Sequence, residues 1–250
     1  INECYKSMPE GPSILIASES MQPFVGRKIL TASGNASIDI SSLNGKKLTG
    51  IKTWGKQLFL ITKNTVVRIH FLLFGSYSIN NNNKPVNRIR LQLRFSNGVI
   101  FFYSCSVKIV EDPTTQYDWK ADVLSDDWDG AAALRKLSAL PKTYICDALL
   151  NQDIFSGVGN IIKNEVLYRV RVHPESSVGK IPVKVLRKIT REARKNSFDF
   201  LEWKLAFVLK KHLLVHTKKI CKRCALPIIK KYCGKTNRRT FFCNNCQVRY

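Results

Sequence analysis

The sequence predicts an α+β fold: an all-β first part, a helical second part and a small thiolate-held hairpin at the end. Three observations carry this expectation. Short β-type runs separated by turn signals fill Gly26 to Tyr103. Helical periods recur from Ala131 to His212. Cys221-Lys-Arg-Cys224 and Cys243-Asn-Asn-Cys246 are separated by 18 residues, the spacing of two metal-binding knuckles. The expected boundaries are residues 8–115, 116–215 and 216–250, within a chain of 250 residues that is long enough to bury a proper core.

In chain order, Met8-Pro9-Glu10-Gly11-Pro12 comes first, and it makes chemical sense at an amino terminus. With Met8 as the start and removed, Pro9 presents a secondary amine of pKa ~7.7–8.0, partly neutral and nucleophilic near physiological pH. Glu10 is the adjacent acid/base group. With Ile1 to Ser7 attached, Pro9 nitrogen is an amide without that chemistry, and the pentapeptide is an ordinary Pro-Gly-Pro turn. The apolar segment Ile14–Ser20 then reads as a short helix.

Six runs follow as strands: Gly26–Leu30, Ile51–Thr53, Leu58–Ile61, Val66–Phe71, Ile89–Phe95 and Val99–Tyr103. Together they suggest an antiparallel sandwich or a barrel-like domain. Asn97-Gly98 is a hairpin turn, and Asn80–Asn83 a polar loop without assigned function. Lys56 stands at a strand entrance, and His70 inside an apolar strand reads as a partly buried histidine.

The character changes near Pro113. Helical segments are expected at Ala131–Leu140, Thr143–Asn151, Asn160–Arg169, Pro182–Asn196 and roughly Phe198–His212. Gly157-Val-Gly159-Asn160 joins two of them. Its glycines permit close backbone approach, and the helix N–H groups beyond suit a phosphate, with the Asn160 amide as an added donor.

From His216 a separate module begins. Its two cysteine pairs supply four thiolates for one structural Zn2+ per chain, with no open position for chemistry. Cys4, Cys105, Cys146 and Cys233 are scattered, so a disulfide framework is not indicated and a reducing, intracellular compartment is expected. Basic residues interleaved with aromatics between the two pairs suit phosphate contacts and insertion into a groove, but Phe241 and Phe242 are expected instead to pack the ribbon core.

The net charge of +23 points to a polyanion, most simply nucleic acid. Residues 161–250 hold 23 of the 41 basic residues and 5 of the 18 acidic ones. No run approaches the ~20 apolar residues of a membrane span, and no signal-peptide pattern appears. A zinc-ribbon RNA binder would account for the charge but leaves Pro9-Glu10 unexplained.

Taken in order, these residues resemble the formamidopyrimidine-DNA glycosylase and endonuclease VIII family from Met8 to about Gln247. The resemblance rests on Pro-Glu-Gly-Pro, Gly55-Lys56, Leu-x-x-Gln152 with Gly-Val-Gly-Asn, His173-Pro174, and the terminal Arg-x-Thr-Phe-Phe-Cys…Cys-Gln. It implies an N-terminal antiparallel β-sandwich with a flanking helix, and a C-terminal helical domain with a helix–two-turn–helix and a zinc-ribbon β-hairpin. It implies a monomer that removes oxidised bases from damaged DNA and cleaves the abasic site by β,δ-elimination. Pro9 would be the nucleophile, Glu10 the proton-transfer group, and Lys56 a phosphate contact that assists the lyase step. Arg238 would act near the lesion during strand scission, Asn160 would hold phosphate, and Leu73 would be an apolar wedge. Cys221, Cys224, Cys243 and Cys246 would hold zinc. The proline motif is closer to the endonuclease VIII branch, which favours oxidised pyrimidines. Two positions depart from the family: Ser13 stands where a glutamate is frequent, and Tyr103–Ile109 lacks the additional arginine and phenylalanine wedges. A non-catalytic damaged-DNA-binding relative is the alternative implied when Pro9 has no free amine.

Overall fold

The computed structural model describes residues 9–250; the start at Met8 and the segment Ile1–Ser7 lie outside the described residues. Its chain divides into two compact units, one of Pro9 with Ser13–Tyr117, the other of Glu10–Pro12 with Asp118–Tyr250.

After Pro9, the first unit resumes within helix α1 (Gly11–Met21), which carries a proline in its first turn, where a missing N–H costs nothing. Strands β1 (Thr31–Ser33), β2 (Leu48–Trp54), β3 (Gln57–Thr62), β4 (Thr65–His70), β5 (Ser76–Ile79), β6 (Ile89–Phe95), β7 (Gly98–Tyr103) and β8 (Ser106–Val110) follow. They form two four-stranded sheets in the orders β1-β6-β7-β5 and β2-β3-β4-β8. Every pairing is antiparallel. Strict alternation drives the packing: Ile89, Leu91, Leu93 and Phe95 of β6 are buried while Arg90, Gln92 and Arg94 are not. Leu58, Leu60, Val67 and Ile69 from one sheet share a core with Leu91, Leu93, Ile100 and Phe102 from the other, closed by Ile14, Ala17 and Met21 of α1. Two sheets with one shared core make a sandwich.

β1, β5 and β8 are not among the expected strands. Ser, Thr and Lys dilute their apolar alternation, and they pair at sheet edges. Conversely Gly26–Leu30 is no strand; only Lys28 makes an isolated bridge, to Lys47. The β6–β7 turn is at Ser96-Asn97, with Phe95 opposite Gly98. Asn80, unassigned from sequence, accepts Val99 N–H on Oδ1 at 3.0 Å beside that turn. α2 (Pro113–Gln116), capped by Asp112, ends the unit.

The second unit contains α3 (Gly130–Ser138), α4 (Ile145–Ala148), α5 (Asn160–Arg169), α6 (Val183–Leu205) and α7 (Leu209–His212), then the hairpin β9 (Ile229–Cys233) and β10 (Arg238–Phe242). Asp129 caps α3 by accepting from Ala131 and Ala132 N–H at 2.9 Å. The helical segment expected at Thr143–Asn151 shortens to α4, and two expected helices merge into α6. Asn196 and Ser197, which read as a helix end, are buried in its interior. Ser197 stays satisfied by donating its hydroxyl to Ala193 C=O at 2.8 Å. α5 is buried over nearly its whole length, so its apolar residues show little one-sided periodicity. The fold class is mixed α+β.

Candidate DNA-repair site

Glu10 is fully buried, and the structure shows why a carboxylate tolerates that position. Its Oε1 accepts Ile161 N–H at 2.6 Å, and its Oε2 accepts Gly159 and Ile162 N–H at 3.2 Å. These are the orphan donors of the α5 N-terminus, where the helix dipole also favours negative charge. A β-carbon on Gly159 would overlap the Glu10 carboxyl group, so only glycine allows this approach. Gly11 N–H donates to Gly157 C=O at 2.9 Å, and Gly157 has φ +93°, so both glycines serve the same close packing. Gln152 holds the turn: it accepts Gly157 N–H at 3.1 Å and donates to Leu150 and Val158 C=O. The sequence reading of this helix terminus as a phosphate cradle is corrected here. Its three N–H groups hold the chain's own Glu10.

Asn160, the first residue of α5, donates from Nδ2 to Arg239 C=O at 2.7 Å and accepts Lys163 Nζ on Oδ1 at 2.9 Å. Lys163 is buried and also donates to Thr240 Oγ1 at 2.7 Å. Burial pulls its ammonium down to about 8, with nearby Cys146, Cys233, Glu10 and Asp147 acting the other way. Sequence reasoning missed Lys163. The only available signal was a lysine at a position that helical spacing leaves inside α5.

Pro9 is half-buried and directly precedes Glu10. In the first unit, Lys56 is half-buried in the β2–β3 turn, next to Gly55 with φ +53°. Gln57 pairs with His70, so Lys56 lies at the same sheet end as His70. Burial lowers the His70 pKa, and the Lys56 and Arg68 charges lower it further. His70 Nδ1 accepts Leu72 N–H at 3.2 Å, opening the turn that carries Leu73. Leu73 is 43% exposed, but its neighbours Leu72 and Phe74 are exposed too, at 52% and 82%. The structure thus presents an apolar triplet, in which the expected single wedge is the least exposed member. A β-carbon on Gly75 would overlap Phe71 C=O, so glycine closes the turn, and Leu72 takes φ +54° within it.

Arg238 is exposed at the start of β10. Phe241 and Phe242 are both buried; Phe241 packs in the ribbon core as expected, whereas Phe242, expected there too, turns to the helical core. His173, of the His-Pro pair, packs edge-on against Phe242 with ring centroids 4.6 Å apart. Gln247 accepts Cys243 N–H and donates to Val172 C=O, both at 2.8 Å, tying the ribbon to the helices.

Sγ atoms of Cys221, Cys224, Cys243 and Cys246 all lie within 4.8 Å of one another. The Cys221–Cys246 and Cys224–Cys243 separations are 3.8 and 3.5 Å. Thiolates ~2.3 Å from a tetrahedral ion stand ~3.8 Å apart, so the donor set fits a four-coordinate metal. Among the described residues no helix is long and apolar enough to cross a membrane.

Comparison with known proteins agrees with this geometry. Residues 8–106 match the formamidopyrimidine-DNA glycosylase N-terminal domain, and residues 121–196 match the formamidopyrimidine-DNA glycosylase H2TH domain. The chain is 30% identical to endonuclease 8-like 3 of Xenopus laevis, over 88% of this chain and 38% of that protein. It is 27% identical to the DNA-(apurinic or apyrimidinic site) lyase Nei2 of Mycolicibacterium smegmatis, over 72% of this chain and 75% of that protein. The chain spans little more than a third of the length of its endonuclease 8-like 3 relatives. A Lactococcus lactis formamidopyrimidine-DNA glycosylase, bound non-covalently to DNA containing an abasic site, has the same fold. Its TM-score is 0.85 at 20% identity, over 96% of this chain and all of that one.

Proposed function

The chain belongs to the formamidopyrimidine-DNA glycosylase and endonuclease VIII family, and from that premise we propose that it is a bifunctional DNA glycosylase and abasic-site lyase acting on damaged DNA. The observation that carries this reading is the buried Glu10, held by three backbone donors directly beside Pro9. A carboxylate so fixed is pre-organised for proton transfer at a neighbouring nitrogen.

With Pro9 as the amino-terminal residue, its amine attacks the sugar C1′ while the glycosidic bond breaks and the base leaves, taking a proton. Ring opening, assisted by Glu10, gives an iminium between Pro9 nitrogen and C1′. Removal of a C2′ proton expels the 3′ phosphate, and removal of a C4′ proton expels the 5′ phosphate. Water then hydrolyses the iminium and frees Pro9. Lys56 and Arg238 bind the phosphates flanking the lesion, and Asn160, whose amide donates to Arg239 C=O, supports the Arg238 contact from the helix terminus. Leu73 fills the stack vacated when the base leaves the duplex, a step this chemistry needs because a buried amine cannot reach a stacked nucleotide.

Cys221, Cys224, Cys243 and Cys246 would hold one structural Zn2+, whose role would be to fold the hairpin, since four thiolate ligands leave no place for substrate. Oxidised pyrimidines are the proposed lesion class, supported by the Pro-Glu-Gly-Pro start and the endonuclease 8-like relatives. The proposed domain limits are 8–115, 116–215 and 216–250, and the proposed working form is a monomer.

Borohydride trapping on abasic-site duplex DNA tests the reading, with protein whose first residue is Pro9 and with its Pro9→Gly variant. A Pro9-dependent covalent adduct is expected. Its absence from folded, zinc-loaded protein leaves a damaged-DNA-binding relative without lyase chemistry.

A further inference from the structure

Arg238 lies on a two-stranded hairpin, an element only marginally stable by itself. The chain on either side of it is nevertheless fixed by polar anchors from the helical part of the same unit. Before it, Asp147 of α4 accepts Lys235 N–H at 2.8 Å, Thr236 N–H at 3.1 Å and the Thr236 hydroxyl at 2.7 Å. A β-carbon on Gly234, which has φ +72°, would overlap the Asp147 carboxylate, so this approach needs glycine. After it, Asn160 binds Arg239 C=O, and Lys163 donates to Thr240 Oγ1 and Asn160 Oδ1. Only Asn237 and Arg238 separate the two anchors.

The second anchor is continuous with the Glu10 site. Asn160 begins α5, and the next two N–H groups of that helix bind Glu10. A lysine inside a helix core is costly compared with leucine or methionine, because its ammonium leaves water. What it contributes that an apolar residue cannot is direction: one aimed hydrogen bond to Thr240 of β10, and one within α5 to Asn160, which itself binds Arg239 C=O.

We propose that Asp147 and Lys163 are positioning residues that hold Arg238 at a set place relative to the α5 N-terminus and Glu10. The inference rests on the reading of Arg238 as a DNA-phosphate contact. Neither residue touches DNA in this account; both act through Arg238.

The test uses the full chain, zinc-loaded, and duplex DNA carrying a tetrahydrofuran abasic analogue, so binding is measured without chemistry. Arg238→Ala is expected to weaken binding several-fold and to lower the salt slope by about one phosphate contact. Asp147→Ala and Lys163→Met should each weaken binding in the same direction, with the same loss of slope. In the Arg238→Ala background either substitution should cost less than about twofold, because interacting sites are non-additive. Thr240→Val removes the hydroxyl that accepts from Lys163 and donates to Arg238 C=O, and serves if Lys163→Met does not fold; Thr240→Ser should restore wild-type binding. Zinc content and the thermal midpoint verify folding.

Equal losses in both backgrounds, or unchanged binding by folded, zinc-loaded variants, would overturn the inference alone. Wild-type protein binding the abasic duplex no tighter than intact duplex would overturn the underlying reading, and this inference with it.

Discussion

At the scale of single residues, the site depends on Gly159 as much as on Glu10. Gly159→Ala places a methyl group in the space of the Glu10 carboxyl. Overpacking of this kind costs about 1–3 kcal/mol, and the carboxylate must move away from the three donors that hold it. We expect a lower urea midpoint together with loss of base excision; an alanine variant with full activity would mean that Glu10 need not sit there. Glu10→Gln keeps the volume but turns an NH2 group toward N–H donors, with an expected cost of about 1–3 kcal/mol for the unsatisfied pairing. His216 sets a pH dependence. Burial lowers its pKa to about 4, with Lys163 and Arg239 adding to the effect, and its Nδ1 lies 2.9 Å from Asn164 Nδ2. Between about 4 and the ordinary value of 6.5 the unfolded chain binds a proton that the folded chain refuses. Stability from this group is therefore complete above 6.5 and falls as pH drops toward 4, by on the order of 2–3 kcal/mol. Denaturation at pH 7.5 and 5 should show that fall in the wild type and less of it in His216→Asn.

Elements show which signals survive from sequence to structure. β6, β7 and α5 stand close to where periodicity or spacing placed them, because a half-buried strand alternates and Gly-Asn marks a helix start. β5 and β8 were hidden because edge pairing asks little of side-chain pattern. α6 was split in two because Asn196 and Ser197 look like punctuation until their burial is seen. The residues Pro9, Glu10, Lys56 and Arg238 were nameable through family resemblance. The Glu10 cradle, Lys163 and Asp147 were not, since they depend on contacts between residues 77 to 152 positions apart. The Leu72-Leu73-Phe74 turn adds its own expectations. Leu72 at φ +54° pays the left-handed penalty of about 1–2 kcal/mol that glycine avoids. Because Leu72 is half exposed, Leu72→Gly should raise the thermal midpoint. Leu73→Ala and Phe74→Ala should weaken binding to an abasic analogue in duplex DNA several-fold while leaving single-strand binding unchanged. Equal losses on both would assign the turn to general DNA contact and not to filling a base stack.

At the scale of the whole molecule, charge and metal are coupled through the ribbon. The net charge of +23 predicts strongly salt-dependent DNA affinity, and the basic residues concentrate in 161–250. The ribbon that carries Arg238 has a small core, formed by Tyr168, Val215, Cys221, Phe241 and Cys243. Two of these five are proposed metal ligands, so a metal bound there would substitute for apolar burial that the segment lacks. Its attachments to the helical core do not depend on the metal in the same way. Glu165 accepts Leu214, Val215 and His216 N–H at 2.9 Å, and Asn160, Lys163 and Asp147 hold the hairpin arm. Chelation should therefore act locally. Amide exchange is expected to rise in residues 216–250 while β2–β4 and β6–β7, whose core contains no ligand, keep their protection. DNA affinity should fall and its salt slope decrease by the contacts the ribbon supplied, and both should return on adding Zn2+. Loss of protection in the sandwich strands at the same chelator concentration would show that the metal supports the entire fold, and the ribbon would then be no separable arm.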